Sequence, residues 1–170
     1  PAVEPCSLAE AKLFLRVDHT QEDALIEALV RTARTRVEAL TGRALITRRV
    51  IESRDAWGGL GVNLALGPLV TLHAARAVQN GAWVEASSAT ILLDGEAHPP
   101  RLRFTQFPPA PTRALAGIEL EYSCGYGESA AAVPAPLRQA VLVLTAQLYA
   151  DREGDESSPD VVHGLVAPYA

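Results

Sequence analysis

The sequence predicts an α+β protein, in which a mainly helical core carries an inserted small antiparallel β unit. Near both ends of the chain, apolar residues recur at the spacing of a helix. Between residues 44 and 123, glycine and proline separate short β-prone runs instead. The length of 170 residues and the hydrophobic content of 48% suit a single domain, 1–170, with one sizeable core.

The first helix is predicted from its start signal. Ser7 stands three positions before Glu10, the arrangement of a capping box, in which the two residues satisfy each other's backbone N–H groups. Leu8, Ala11 and Leu15 then repeat at helical spacing. We expect this helix to end near Val17.

The second helix is predicted from about Gln21 to Thr41. Gly42 follows it, where a left-handed C-cap is favoured. The predicted apolar stripe, widened by Ile26 and Val30, consists of Leu25, Leu29, Ala33, Val37 and Leu40.

The middle segment is predicted to form short antiparallel strands. Asn80-Gly81 is a strong signal for a type I′ hairpin, since both central residues must accept positive φ. The β-prone runs are Leu45–Arg54, Val62–Leu66, Leu72–Val78, Ala82–Ala86, Thr90–Leu93, Arg101–Thr105 and Ile118–Tyr122.

A third helix is predicted from Pro134 or Pro136 to near Arg152. It is apolar on nearly all sides, which requires burial on nearly all sides. We therefore expect a partner or a neighbouring subunit to cover part of it. An acidic stretch and an apolar tail follow, 153–170, which fit either a docking arm or a segment that folds back on its own core. The predicted partner-binding residues are Leu137, Val141, Leu144, Leu148, Tyr149, Arg152, Leu165 and Tyr169.

Charge is distributed unevenly along the chain. The net charge is −5, which argues against tight non-specific DNA binding. One stretch is nevertheless basic, with a net +5 that leaves −10 for the remainder. Its arginines, which we expect to be solvated, to pair with a neighbouring subunit or to face DNA, are Arg31, Arg34, Arg36, Arg43, Arg48 and Arg49.

No pattern in the sequence indicates catalysis, a cofactor or a metal site. Four dispersed histidines and two distant cysteines lack the spacing of metal ligands. Cys124 has no neighbouring base, and Glu119 and Glu121 share one strand face as solvated acids would. No apolar run approaches the roughly 20 residues that span a membrane, and no signal peptide is visible. We expect an intracellular-type protein without enzymatic activity.

Ordered local matches indicate a family resemblance over nearly the whole chain. They are Ser7–Lys12, Leu15–His19, Glu22–Ile26, Val37–Leu45, Leu64–Val70, Cys124–Gly127, Val133–Pro134, Arg138–Ala140, Tyr149–Glu153 and Leu165–Tyr169. In this order they resemble the phage head–tail connector (adaptor) family, which includes the adaptor proteins of gene transfer agents. The β segment matches least, and Ala170 stands where a basic residue is expected.

The resemblance implies a structural subunit of a phage or phage-like particle, made in the bacterial cytoplasm. Such a subunit forms a ring, commonly a dodecamer, below the portal at the head–tail junction. It joins the portal to a stopper or tail protein, and double-stranded DNA passes through its lumen without specific binding. The alternative from a different class is a DNA-binding packaging accessory protein that uses the basic stretch Arg31–Arg49.

Overall fold

A computed structural model describes residues 3–150 and 160–170 of the chain. The helices are α1 (Leu8–Leu15), α2 (Asp23–Thr41), α3 (Ala135–Ala150) and α4 (Asp160–Val166). The strands are β1 (Arg48–Arg54), β2 (Gly61–Asn63), β3 (Leu69–Gln79), β4 (Ala82–Glu85), β5 (Ile91–Asp94), β6 (Arg101–Phe104) and β7 (Ile118–Cys124). The α+β fold class is therefore confirmed, and each predicted β-prone run overlaps an observed strand.

The elements divide between two compact units. A helical unit comprises Pro1–Ile46 and Tyr126–Ala170, and a β unit comprises Thr47–Gly125. In the helical unit, α3 packs against α2, and both α1 and α4 pack onto this pair.

Helix α1 begins with the predicted capping box. The Ser7 backbone N–H donates to Glu10 Oε2 at 2.8 Å, and the Glu10 N–H donates to Ser7 Oγ at 3.2 Å. These hydrogen bonds, together with the Arg138 guanidinium, lower the pKa of the Glu10 carboxyl. The helix ends at Arg16, which adopts the left-handed conformation with φ of 59°.

The buried stripe of α2 is rotated from the predicted one. The residues that enter the core are Ile26, Val30, Ala33, Val37 and Thr41. Leu25 and Leu40, predicted within the stripe, are 40% and 37% exposed. Gly42 caps the helix with φ of 62°, as the sequence predicts.

Two antiparallel sheets form the β unit. The larger has the strand order β1-β7-β3-β4, and the smaller has the order β2-β6-β5. Central β7 buries alternate residues, Ile118, Leu120, Tyr122 and Cys124. The Asn80-Gly81 hairpin between β3 and β4 is confirmed, with φ of 51° and 84°.

Aromatic side chains anchor the interior of the β unit. Trp57 meets Phe104 edge-on at a centroid distance of 5.0 Å, and its indole N–H donates to the Pro109 carbonyl at 2.8 Å. Burial and the nearby Glu52 carboxylate raise the pKa of Tyr122 to about 12. The Tyr122 hydroxyl lies 3.2 Å from Glu52 Oε2, so the buried phenol stays neutral and hydrogen-bonded.

Candidate partner-binding surfaces

The main stripe of α3 is filled by intramolecular packing. Leu137, Val141 and Leu144 have no exposed surface and belong to the core that α2 and α4 complete. In this conformation a partner cannot reach these three side chains. The helix is covered largely by its own unit, because α2 and α4 both pack against it. Helix α4 was not among the helices that the sequence predicts.

The far end of α3 keeps apolar surface. Leu148 and Tyr149 are half-buried and pack at the margin of the helical core. The Tyr149 hydroxyl donates to the Glu22 carboxylate, which ties this end of α3 to the start of α2. Arg152, also predicted to bind a partner, lies outside the described residues.

The C-terminal tail folds back on the helical unit. Val162 and Val166 of α4 are buried in its core. Val161 and Leu165 lie four positions apart on the same helix and therefore on the same side of it. Val161 is 60% exposed and Leu165 is half-buried. The tail therefore combines an inward face with an outward apolar pair, and the predicted acidic stretch at 153–159 lies outside the described residues.

The last turn of the tail is held by Arg43. The Nε of Arg43 donates to the Tyr169 carbonyl at 2.8 Å, and its guanidinium carbon lies 5.9 Å from the Tyr169 ring centroid. Arg43 also donates to the Tyr126 hydroxyl at 3.4 Å. Arg43 therefore stabilises the C-terminal segment through contacts within its own chain.

The basic stretch does not form one free patch. Arg34 pairs with Glu4 at 2.7 Å and with Glu38 at 2.8 Å. Arg48 and Arg49 belong to β1 of the β unit, and Arg49 pairs with Glu121 at 2.6 Å. Several of the charges counted along the sequence are thus neutralised locally.

Two arginines of α2 remain available to another molecule. Arg31 is exposed and Arg36 is half-buried, and neither has an ion pair with another residue in the described ranges 3–150 and 160–170. Between them, the Thr32 and Thr35 hydroxyls donate back to the helix carbonyls of Ala28 and Arg31, at 3.0 and 2.9 Å. The outward side of α2 therefore offers two cations on a surface of small side chains.

The acidic and thiol side chains that could take part in catalysis are paired or buried. Glu119 pairs with Arg76 and Glu121 with Arg49, so the two acids of β7 are both engaged. Burial raises the pKa of the Cys6 thiol to about 11, which keeps it protonated and weakly reactive. Cys124 is fully buried.

The described part of the chain has neither a cluster of metal-ligating side chains nor a membrane-spanning helix. Its histidine, cysteine, aspartate and glutamate residues do not gather in groups of three that could hold a metal ion. Within the same ranges, no helix has the length and apolar character that crossing a membrane requires.

Comparisons with known proteins show similarity to head–tail connector proteins and to chains of gene transfer agent particles. The family model of the phage gp6-like head–tail connector proteins matches residues 6–85. A comparison with curated proteins found no match.

Three solved structures match along nearly the whole chain. A chain from the virion of a native gene transfer agent particle is 30% identical, with a TM-score of 0.82, and the match covers 99% of this chain and 92% of that one. A chain from the neck of an empty particle, computed with C6 symmetry, is 29% identical with a TM-score of 0.81, at coverages of 97% and 88%. A chain from the neck of a native particle, computed with C12 symmetry, is 28% identical with a TM-score of 0.75, at coverages of 95% and 86%.

Proposed function

Because the chain belongs to the phage gp6-like head–tail connector family, we propose that it is an adaptor subunit that forms a ring below the portal. The ring joins the portal to the tail or its stopper and continues the DNA channel. The observation that carries this proposal is the match of 99% of the chain to a chain of a gene transfer agent virion. Both the helical unit and the β unit are included in that match.

A ring at the head–tail junction agrees with the other neighbours. Chains of this fold occur in necks that were computed with C6 and C12 symmetry. A dodecamer is the copy number we propose. Cyclic assemblies of this kind are built from repeated copies of one interface.

The charge of the chain suits a conduit through which DNA slides. A strongly basic lumen would hold DNA, because neutralising phosphates releases counterions and stabilises the complex. The net charge here is −5, and Arg34, Arg43 and Arg49 are engaged by groups of their own chain. These facts favour DNA passage over the DNA-binding packaging accessory.

The portal contact is proposed at the outward surface of the C-terminal segment. Val161 and Leu165 of α4 present apolar surface, Leu148 and Tyr149 lie at the end of α3, and Tyr169 closes the tail. Leu137, Val141 and Leu144 act indirectly, since their burial positions α3 and α4.

Replacing Val161 by Asp is expected to weaken portal binding at least about tenfold. The reason is that the new carboxylate would lose its hydration in a packed apolar contact. The side chain is 60% exposed in the free chain, so the variant should fold normally. The measurement is co-sedimentation of the purified protein with its cognate portal, after circular dichroism has confirmed folding.

Ile51→Asp is the matched control for this experiment. Ile51 is 59% exposed but lies on β1 of the β unit, and we expect its variant to bind the portal as the wild type does. Failure of the wild type to sediment with the portal would refute portal docking. Loss of binding in Ile51→Asp alone would move the contact to the β unit.

A further inference from the structure

The C-terminal half of α1 projects apolar side chains from the helical unit. Leu13 is 82% exposed and Phe14 is 41% exposed, whereas Ala11 of the same helix is fully buried. The helix is well fixed, because its N-terminus carries the capping box and the Arg16 N–H donates to the Lys12 and Leu13 carbonyls. Lys12 Nζ also pairs with Asp23 of α2 at 2.6 Å. A rigid apolar projection of this kind is suited to insertion into a complementary surface.

An open groove lies at the opposite, N-terminal end of α1, between the residues that precede this helix and α2. Its volume is about 440 Å³, which can hold a pair of large apolar side chains. Cys6 and Val30 contribute buried surface to it, and Glu27 and Arg31 contribute charged side chains. The complete lining is Val3, Glu4, Cys6, Ser7, Leu8, Glu27, Val30, Arg31 and Ala130.

Charges beside the two features are complementary. Arg16 and Asp18 follow the exposed end of α1, and both are exposed. Of the charged residues that line the groove, Glu4 pairs with Arg34, whereas Glu27 and Arg31 offer one charge of each sign. Arg31 has no ion pair with another described residue. Arg16 and Asp18 can therefore each meet an opposite charge at the groove, which can set the register of a contact.

The symmetry of a ring calls for two different surfaces on each subunit. A two-fold contact joins a patch to itself, but a ring of more than two copies needs a head-to-tail contact between distinct patches. The projection on α1 and the groove are two such patches on one rigid unit. This step rests on the ring of the proposed function.

We infer that Leu13 and Phe14 of one copy insert into the groove lined by Val3, Leu8 and Val30 of the next copy. The occupant of the groove is thus a second copy of this chain. Arg16 and Asp18 then lie near Glu27 and Arg31 of the neighbour. Repetition of this contact closes the ring.

The test is disulfide trapping of the ring contact. In a double variant, Leu13→Cys with Val3→Cys, an inserted α1 places the two new thiols within bonding range across the interface. Val3 is 44% exposed. Because Cys6 lines the same groove, all variants are made in a Cys6→Ala background, and the remaining native thiol, Cys124, is fully buried. Mild oxidation is applied both to the concentrated protein and to protein bound to its portal, followed by a non-reducing denaturing gel.

The double variant is expected to give a ladder of covalent multimers. Each single variant alone should remain monomeric on the gel, and an equal mixture of the two single variants should give dimers only. A control pair, Phe107→Cys with Val3→Cys, should give no ladder, although Phe107 is as exposed as Leu13, at 83%.

Other outcomes would overturn the inference. Self-linking of Leu13→Cys alone would indicate a two-fold contact, and an equal ladder from the Phe107 control would indicate random collision. A double variant that binds the portal but gives no ladder would refute this contact and leave the adaptor function standing. A wild type that does not bind the portal would count against the proposed function instead.

Discussion

Replacing Leu144 by Ala is expected to lower the free energy of unfolding of the helical unit by about 3 kcal/mol, the usual cost of a cavity in a packed core. Leu144 has no exposed surface and lies in the core that α2, α3 and α4 share. The loss is measured by urea denaturation followed by far-UV circular dichroism. The same residue replaced by Asp should prevent folding, so it cannot report on portal binding.

Leu92→Ala is the control for this measurement. It removes the same atoms from a side chain that is 58% exposed on β5, and we expect a change below about 0.5 kcal/mol. If Leu144→Ala were equally harmless, α3 would not be a core helix, and its stripe would again be a candidate for partner contact.

Glu38→Ala is expected to cost about 3 kcal/mol of stability, because it breaks a buried ion pair and a buried hydrogen bond together. Glu38 is only 5% exposed. Its Oε2 accepts from Arg34 at 2.8 Å, and its Oε1 accepts from the Leu45 backbone N–H at 2.9 Å. Without the carboxylate, the N–H of fully buried Leu45 loses this acceptor.

The stability of Glu38→Ala is compared with that of two further variants, again by urea denaturation. Glu27→Ala removes an exposed acid from the same helix and should change stability by less than about 0.5 kcal/mol. Glu38→Gln keeps an acceptor for Leu45 and should cost less than Glu38→Ala. Equal stability of Glu38→Ala and the wild type would mean that the arginine pairing does not hold the helical unit together.

The local signals in the sequence predicted much of the fold. The capping box at Ser7, the left-handed cap at Gly42 and the Asn80-Gly81 turn each depend on residues close together in the chain. Their energetics are local, so spacing alone identifies them. For the same reason the alternation along β7 was visible in the sequence.

Features that depend on distant residues could not be predicted. The division of the strands into two sheets is set by pairings such as β1 with β7, whose strands lie far apart in sequence. Helix α4 has only seven residues, including Gly164, and gains its stability from the burial of Val162 and Val166.

Which of the candidate surfaces are covered by remote parts of the same chain could not be predicted either. A helix that is apolar on most sides demands cover, but the sequence does not say whether the cover is a partner or α4. The basic stretch looked continuous because the groups that engage its arginines are remote, as Tyr169 is for Arg43 and Glu4 for Arg34. Of the arginines of α2, Arg31 and Arg36 have no ion pair with another residue that the structure describes.

Electron cryo-microscopy of the purified particle's neck would show whether this chain is a head–tail adaptor. We expect a ring of this chain between portal and tail, with the C-terminal surface around Val161 toward the portal and an open channel along its axis. A neck without this chain, or the chain located away from the junction, would rule out the adaptor function.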